Sequence, residues 1–320
     1  MTADLSIIVC TYRRAEPLRR ALDSVIAQRA PDGVRVELIV VDNSDDRSAE
    51  AIVAAEAARS PFPIVYIEAH PPNISVARNA GVAAATGPVI AFLDDDQQVD
   101  SDWLAQALHG VATHDHDVLF GPVTPVFEAP ERTTAAIRAL FSRGLAAPAG
   151  AELFAMGPRK TPGITLATNN SFFRTAAFRE ARFDEAFGNA GGEDYDLLCQ
   201  LQAQGFRFGW LPSARVSEEV PARRCDVGYL RRRLYAGGQA FAAAVARASP
   251  SPFATRWAIR AKAAVQAVLM ALATPVAALR GREAWTDHGF RFAGVLGKLS
   301  FGRLYPIYRH ENDGGKRARG

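Results

Sequence analysis

The sequence predicts an α/β fold, a mostly parallel sheet flanked by helices, followed by a helical and basic C-terminal extension. Three observations predict it. Short β-branched runs alternate with helically spaced apolar residues through the first hundred positions. Polar and acidic residues recur where those runs end. Charge is divided unevenly: residues 1–222 carry 19 Lys/Arg against 29 Asp/Glu, and residues 223–320 carry 18 against 5.

Residues 5–10 and 36–41 read as strands, and residues 17–27 between them have helical spacing through Leu18, Ala21, Leu22, Val25 and Ile26. A second helix fits 49–59 and a third strand 64–68. A small-residue helix at 75–85 precedes Gly87-Pro88 and a strand at 89–93. This connected βαβαβαβ pattern predicts a parallel sheet covered by helices, with ligands bound beyond the carboxyl ends of its strands. Six prolines between 121 and 165 predict a loop-rich stretch with short helical pieces. A strand or strand pair is expected at 164–173, a helix at 193–204 with Leu197, Leu198 and Leu201 on one face, and a strand at 206–211. Composition shifts near Ala222, after which basic residues and alanines dominate.

Length and composition bound the rest. The 320 residues suffice for one large domain, or one domain with an appendage, and for a real core. With 48% hydrophobic and 22% charged residues, the composition is that of a folded protein. Cys10, Cys199 and Cys225 are odd in number and irregularly spaced, which indicates neither a disulfide framework nor a zinc site. The first four residues lack a basic region and the apolar run after them is too short for a signal peptide, so a reducing, cytoplasmic location is expected.

The chemistry gathers at the predicted strand ends. Thr11-Tyr12-Arg13, Asp42-Asn43-Ser44 and Asp94-Asp95-Asp96 would meet on one edge of the sheet. Three adjacent carboxylates repel one another, so a structural gain is hard to find. Hard oxygen ligands suit Mg²⁺ or Mn²⁺, which retain waters and share phosphate oxygens with a substrate. Asp42 can serve as a turn or helix cap, or as a partner for a nucleobase or ribose. Arg78 can pair with diphosphate oxygens or form a surface ion pair. Glu193 and Asp194 follow the glycine-rich run 188–192. There a carboxylate is favoured by the helix dipole and is also suited to act as a general base.

Taken in order, the segments 6–13, 40–44, 73–81, 90–96, 102–104 and 192–197 resemble family-2 inverting glycosyltransferases of the GT-A fold. The resemblance covers about residues 4–224 and implies a GT-A domain over 1–224. Its nucleotide-sugar half would span about 1–104 and its acceptor half about 105–224, with 225–320 as the helical basic region. By resemblance Thr11, Tyr12, Arg13, Asp42, Arg78, Asp94 and Asp95 bind the donor. Asp96 is the direct metal ligand and Asp94 holds metal or ribose. Asp194 is the catalytic base, supported by Glu193. The implied reaction is a metal-dependent single displacement that inverts the sugar, passing it from a nucleotide-diphosphate donor to a glycan or lipid-linked acceptor in cell-surface polysaccharide synthesis. Two departures stand out. Ser217 occupies the place where many relatives carry a metal-contacting His, and Glu218 is the candidate substitute. Ile74 follows Asn73 where Gly is commoner.

The tail holds Arg231-Arg232-Arg233, Arg256, Arg260 and Lys262, then the apolar run 263–279. Those 17 alanine-rich residues, with Gln266, Thr274 and Pro275 among them, fall short of a strongly apolar spanning segment. Basic flanks and Trp257, Trp285 and Tyr305 suit an interfacial helix at the inner face of the plasma membrane. Packing against protein is the alternative. No nucleic-acid-binding pattern is present. Two other functions remain open: a sugar nucleotidylyltransferase, against which stands the lack of glycine in residues 5–20, and a non-catalytic transferase used as a binding module.

Overall fold

The computed structural model describes residues 2–308, which form two compact units. The first comprises residues 2–126, 142–183 and 204–219, and the second 127–141, 184–203 and 220–308. In chain order the strands are β1 (Leu5–Thr11), β2 (Val36–Asp42), β3 (Ile64–Glu68), β4 (Val89–Asp94), β5 (Gln97–Val99), β6 (Val118–Phe120), β7 (Val123–Phe127), β8 (Glu152–Leu153), β9 (Ser171–Arg174), β10 (Phe208–Trp210) and β11 (Val216–Val220). The α-helices are α1 (Ala15–Ile26), α2 (Glu50–Ala57), α3 (Ile74–Ala84), α4 (Trp103–Thr113), α5 (Ala135–Phe141), α6 (Ala177–Glu180), α7 (Glu193–Ala203), α8 (Val227–Arg247), α9 (Pro252–Leu279) and α10 (Arg282–Leu299).

An eight-stranded sheet ordered β3-β2-β1-β4-β9-β6-β10-β8 builds the first unit. Its β3-β2-β1-β4 half is parallel, β9 runs antiparallel to β4 and β6, and β10 is parallel to β6. The sheet is therefore mixed and mostly parallel. Helices cover it, so β1 and β2 are apolar almost throughout: Ile7, Ile8, Val9 and Leu38–Val41 have no measurable exposure. Register aligns Thr11 with Asp42 and Cys10 with Asp94, which brings the strand-end residues to one edge. Strand β5 pairs with β11 in a small three-stranded sheet with β7, directly after the acidic triplet.

Part of the family-like segment 73–81 is structural. Asn73 caps α3 by accepting from Ser75 N at 2.9 Å. Asn79 is bonded both ways to the backbone of Phe183, at 2.9 and 3.1 Å. Gly81 lets α3 lie close on β1, since a Cβ there would stand 2.7 Å from the Ile8 side chain.

The strand expected at 164–173 is confined to Ser171–Arg174. Upstream of it, Asn170 adopts φ 49° and spends its amide on the carbonyls of Pro122 and Ala214 and its oxygen on Trp103 Nε1. Arg143, buried, donates to the carbonyls of Gly121, Ala167, Asn169 and Asn170. The backbone polar groups here are satisfied by side chains instead of a neighbouring strand.

In the second unit, α8, α9 and α10 pack together, and α7 packs on α8. Helices α8 and α10 approach at glycines: a methyl on Gly238 would overlap the Gly294 carbonyl, and one on Gly297 the Tyr235 carbonyl. Gly297→Ala is therefore expected to lower stability by about 1–3 kcal/mol through overpacking. In a helix free of this contact the same change would raise stability by about 1 kcal/mol. The sign of the Tm change in thermal unfolding separates the two. Helix α9 runs through Pro275 and, at 28 residues, is long and apolar enough to cross a membrane by length and composition, which exceeds the 17-residue run read from the sequence.

Candidate active site

Strand β4 ends in the triplet, and its three carboxylates differ in surroundings. Asp94 is the open one, with 40% of its side chain exposed. Asp95 and Asp96 are buried. Thr11 Oγ1 donates to Asp95 at 2.7 Å, and Arg14 Nη1 bridges Asp95 at 2.5 Å and Asp96 at 2.9 Å. Burial pushes the Asp95 carboxyl up to about 6, with Arg14 and Thr11 acting against that rise and Asp96 adding to it. The same two carboxylates hold the Arg14 guanidinium well above its ordinary value despite its desolvation.

Arg14 is the residue that the sequence reading missed. The backbone at Arg13 is left-handed, with φ 52°, so the two arginines part company. Arg13 pairs with Asp45 and, at 3.2 Å, with Asp46 beyond β2, and lies over the Tyr12 ring. Arg14 turns to the acids beyond β4. The doubled arginine after β1 was the available signal, but nothing local says which one turns inward.

Arg78 is buried on α3, its guanidinium 3.7 Å from Asp94 and over the Phe183 ring. Asp42 is fully buried. It accepts from Ser44 N at 2.9 Å, Ala49 N at 2.9 Å, the Ser44 hydroxyl and the Tyr66 hydroxyl at 3.1 Å. These bonds make it the organiser of the turn into α2. Burial, and then the nearby Asp42, push the Tyr66 hydroxyl up to about 12.

Ser217 lies on β11 opposite Gln98. Glu218 beside it is buried and accepts from Asn169 at 3.3 Å, while Glu219 pairs with Arg20 at 2.5 Å. Among the described residues no group of three His, Cys, Asp or Glu is arranged to hold a metal ion. The donor set still fits a Mg²⁺ or Mn²⁺ that takes one or two carboxylates and completes its shell with water and substrate phosphate. Of the outer two carboxylates, Asp94 faces solvent while Asp96 is buried against Arg14.

In the second unit, Glu193 and Asp194 begin α7 directly after Gly191 and Gly192, both left-handed. Gly192 is required twice over, because a Cβ there would stand 2.5 Å from that of Ala240. Glu193 is buried and Asp194 half-buried. Asp196, one turn inside, is fully buried. It accepts from Gln200 at 2.6 Å and pairs with Arg247 at 3.4 Å. Burial pushes its carboxyl up to about 6. Tyr308 lies by this loop, its N–H donating to the Asn189 carbonyl at 3.2 Å, and burial followed by the charge of Glu193 raises its hydroxyl. No sequence signal links it to the loop across more than a hundred positions.

A sheet of this order, with acids at the end of its fourth strand, defines a GT-A glycosyltransferase fold. Solved structures share it, among them two bound to nucleotide sugars. One is the mannosyltransferase PcManGT from Pyrobaculum calidifontis in complex with GDP-Man and Mn²⁺, with TM-score 0.61, 20% identity, and 93% of this chain and 88% of that one covered. The other is S. aureus TarS 1-349 in complex with UDP-GlcNAc, with TM-score 0.52, 19% identity, and 94% and 74% covered. The chain belongs to glycosyl transferase family 2, whose profile it matches over residues 6–182. It is 32% identical to the succinoglycan biosynthesis protein ExoM of Rhizobium meliloti (strain 1021) over 303 residues, spanning 92% of this chain and 94% of that protein. To ExoO of the same organism it is 31% identical over 231 residues, 66% of this chain and 59% of that one.

Proposed function

We propose that this glycosyltransferase moves one hexose from a nucleotide-diphosphate donor to a glycan or lipid-linked acceptor in polysaccharide biosynthesis, with inversion, at the inner face of the plasma membrane. The observation that carries the reading is the end of β4, where an open Asp94 and a buried Asp95–Asp96 pair stand beside Arg14 and Arg78. The likeness to ExoM over nearly the whole of both chains supports the polysaccharide assignment. Residues 1–104 would serve the donor, 105–224 the acceptor, and 225–320 the membrane side.

In this reading Asp94 and Asp96 hold Mn²⁺ or Mg²⁺, which when bound offsets negative charge developing on the departing diphosphate. Arg78 supplies a fixed positive group to the same diphosphate, and Arg14 keeps the paired carboxylates in place. Thr11 and Tyr12 line the nucleotide pocket, with Arg13 beside them, and Asp42 shapes its base side. Asp194 takes the proton of the acceptor hydroxyl, and Glu193 positions it. The hydroxyl oxygen bonds to the anomeric carbon as the bond to the diphosphate oxygen breaks on the opposite face.

A thermal-shift panel of UDP- and GDP-sugars with and without Mn²⁺ tests this. A cognate donor at about one hundred times its Kd stabilises the fold by about 2.7 kcal/mol, and that gain should need the metal. Sugar transfer from the donor so found should follow. A panel in which no nucleotide sugar shifts Tm and none is turned over would refute the reading.

A further inference from the structure

Helix α9 is amphipathic in the wrong sense for water. Its packed side, against α8 and α10, holds small and polar groups: Ala263 and Ala277 are buried, Gln266 is half-buried, and Thr274 bonds His288 Nε2 at 3.1 Å. Its outward side holds the large apolar groups. Phe253 is 78% exposed, Leu272 72% and Leu279 89%, and Trp257, Val265, Val268, Leu269 and Val276 share that arc. A helix on a soluble surface shows the reverse pattern. A continuous apolar face of this extent marks a surface that something non-aqueous covers.

Charge indicates what covers it. The run 263–279 carries no charged residue and is about 25 Å long. Lys262 and Arg280 bound it five turns apart on one edge, with Arg256 and Arg282 beyond them. All four are exposed and make no ion pair among the described residues. At the N-terminal end Arg260 lies 3.7 Å from the Phe301 ring centre and also over Trp257, an aromatic and cationic cluster suited to headgroup depth. A second copy laid antiparallel on this face would set Lys262 against Arg280, like against like. A bilayer presenting phosphates would meet both ends with opposite charge. Crossing the bilayer is disfavoured because α10, packed along α9, carries Glu283, Asp287 and Arg291, which would be drawn into hydrocarbon.

We infer that α9 lies in the plane of an anionic bilayer, its Phe253–Leu279 face sunk to the upper acyl chains and its basic ends on lipid phosphates. The inference stands apart from the transfer reading, since vesicle binding needs no donor.

The test uses the full chain and vesicles of phosphatidylcholine with and without phosphatidylglycerol. Wild type should bind the anionic vesicles more tightly, and shallow brominated lipids should quench fluorescence that Trp257→Phe removes. Leu269→Glu with Leu272→Glu should weaken partitioning at least about tenfold at unchanged Tm. Lys262→Gln with Arg280→Gln should abolish the preference for phosphatidylglycerol. Three results overturn the inference. The first is equal binding by the Leu269→Glu, Leu272→Glu variant. The second is protein in native membranes that resists alkaline extraction, which means a spanning helix. The third is an oligomer that the double Glu variant dissociates while vesicles leave it intact, which means a second copy.

Discussion

Asp96→Ala is expected to abolish metal-dependent binding of the nucleotide diphosphate while leaving the protein folded. Asp96 sits at the end of β4 with its backbone carbonyl held by Glu219 N at 3.0 Å, a bond that the substitution keeps. The fold loses little, because Arg14 retains Asp95 at 2.5 Å and one of three crowded negative charges is gone. On the proposed reading the metal would lose a hard anionic ligand that water replaces poorly. Titration calorimetry with UDP or GDP and Mn²⁺ should show affinity falling by well over tenfold, more than about 1.4 kcal/mol, while thermal unfolding stays close to wild type. Unchanged affinity would mean that the metal is held elsewhere or is not used.

Asp194→Asn should reduce turnover by about 10²-fold or more with donor affinity nearly intact, the signature of a lost general base. Asn has the same size and still suits the first turn of α7, so the glycine loop and the helix should remain in place. Glu193→Gln should cost less, because Glu193 is buried and on the proposed reading only positions its neighbour. The two variants need comparison at the same metal and donor concentrations. Wild-type turnover by Asp194→Asn would place the base elsewhere. Asp196 would remain a poor alternative, being fully buried and tied to Arg247 and Gln200, which leaves Glu218 as the next carboxylate to test.

The legible part of the candidate site was the part built from contiguous residues. Asp94-Asp95-Asp96 after an apolar strand, and Glu193-Asp194 after a glycine run, are local patterns, and the structure places both where strand and helix begin or end. Arg14 was not legible, because its inward turn depends on the left-handed backbone at Arg13 and on acids about eighty residues away. For Asp42 the sequence offers two readings, a turn or cap and a nucleobase or ribose partner, and three of the four bonds it accepts belong to the turn and cap. A carboxylate ending a strand looks alike in sequence whether it meets a ligand or its own turn.

The sequence by itself determined the parallel core, its βαβ order, and the edge where acids gather. Those follow from apolar periodicity over five to twelve residues, which a local window reveals. Strands β5, β6, β7, β8 and β11 are two to five residues long and carry too little periodicity to be read. Pairing with distant strands makes them strands. The same holds for α9. Its composition announced an apolar helix with basic ends, but only packing against α8 and α10 decided that the polar groups turn inward and the large apolar ones face out. Which side of a helix is buried depends on the partner it meets, and that partner lies outside any local window.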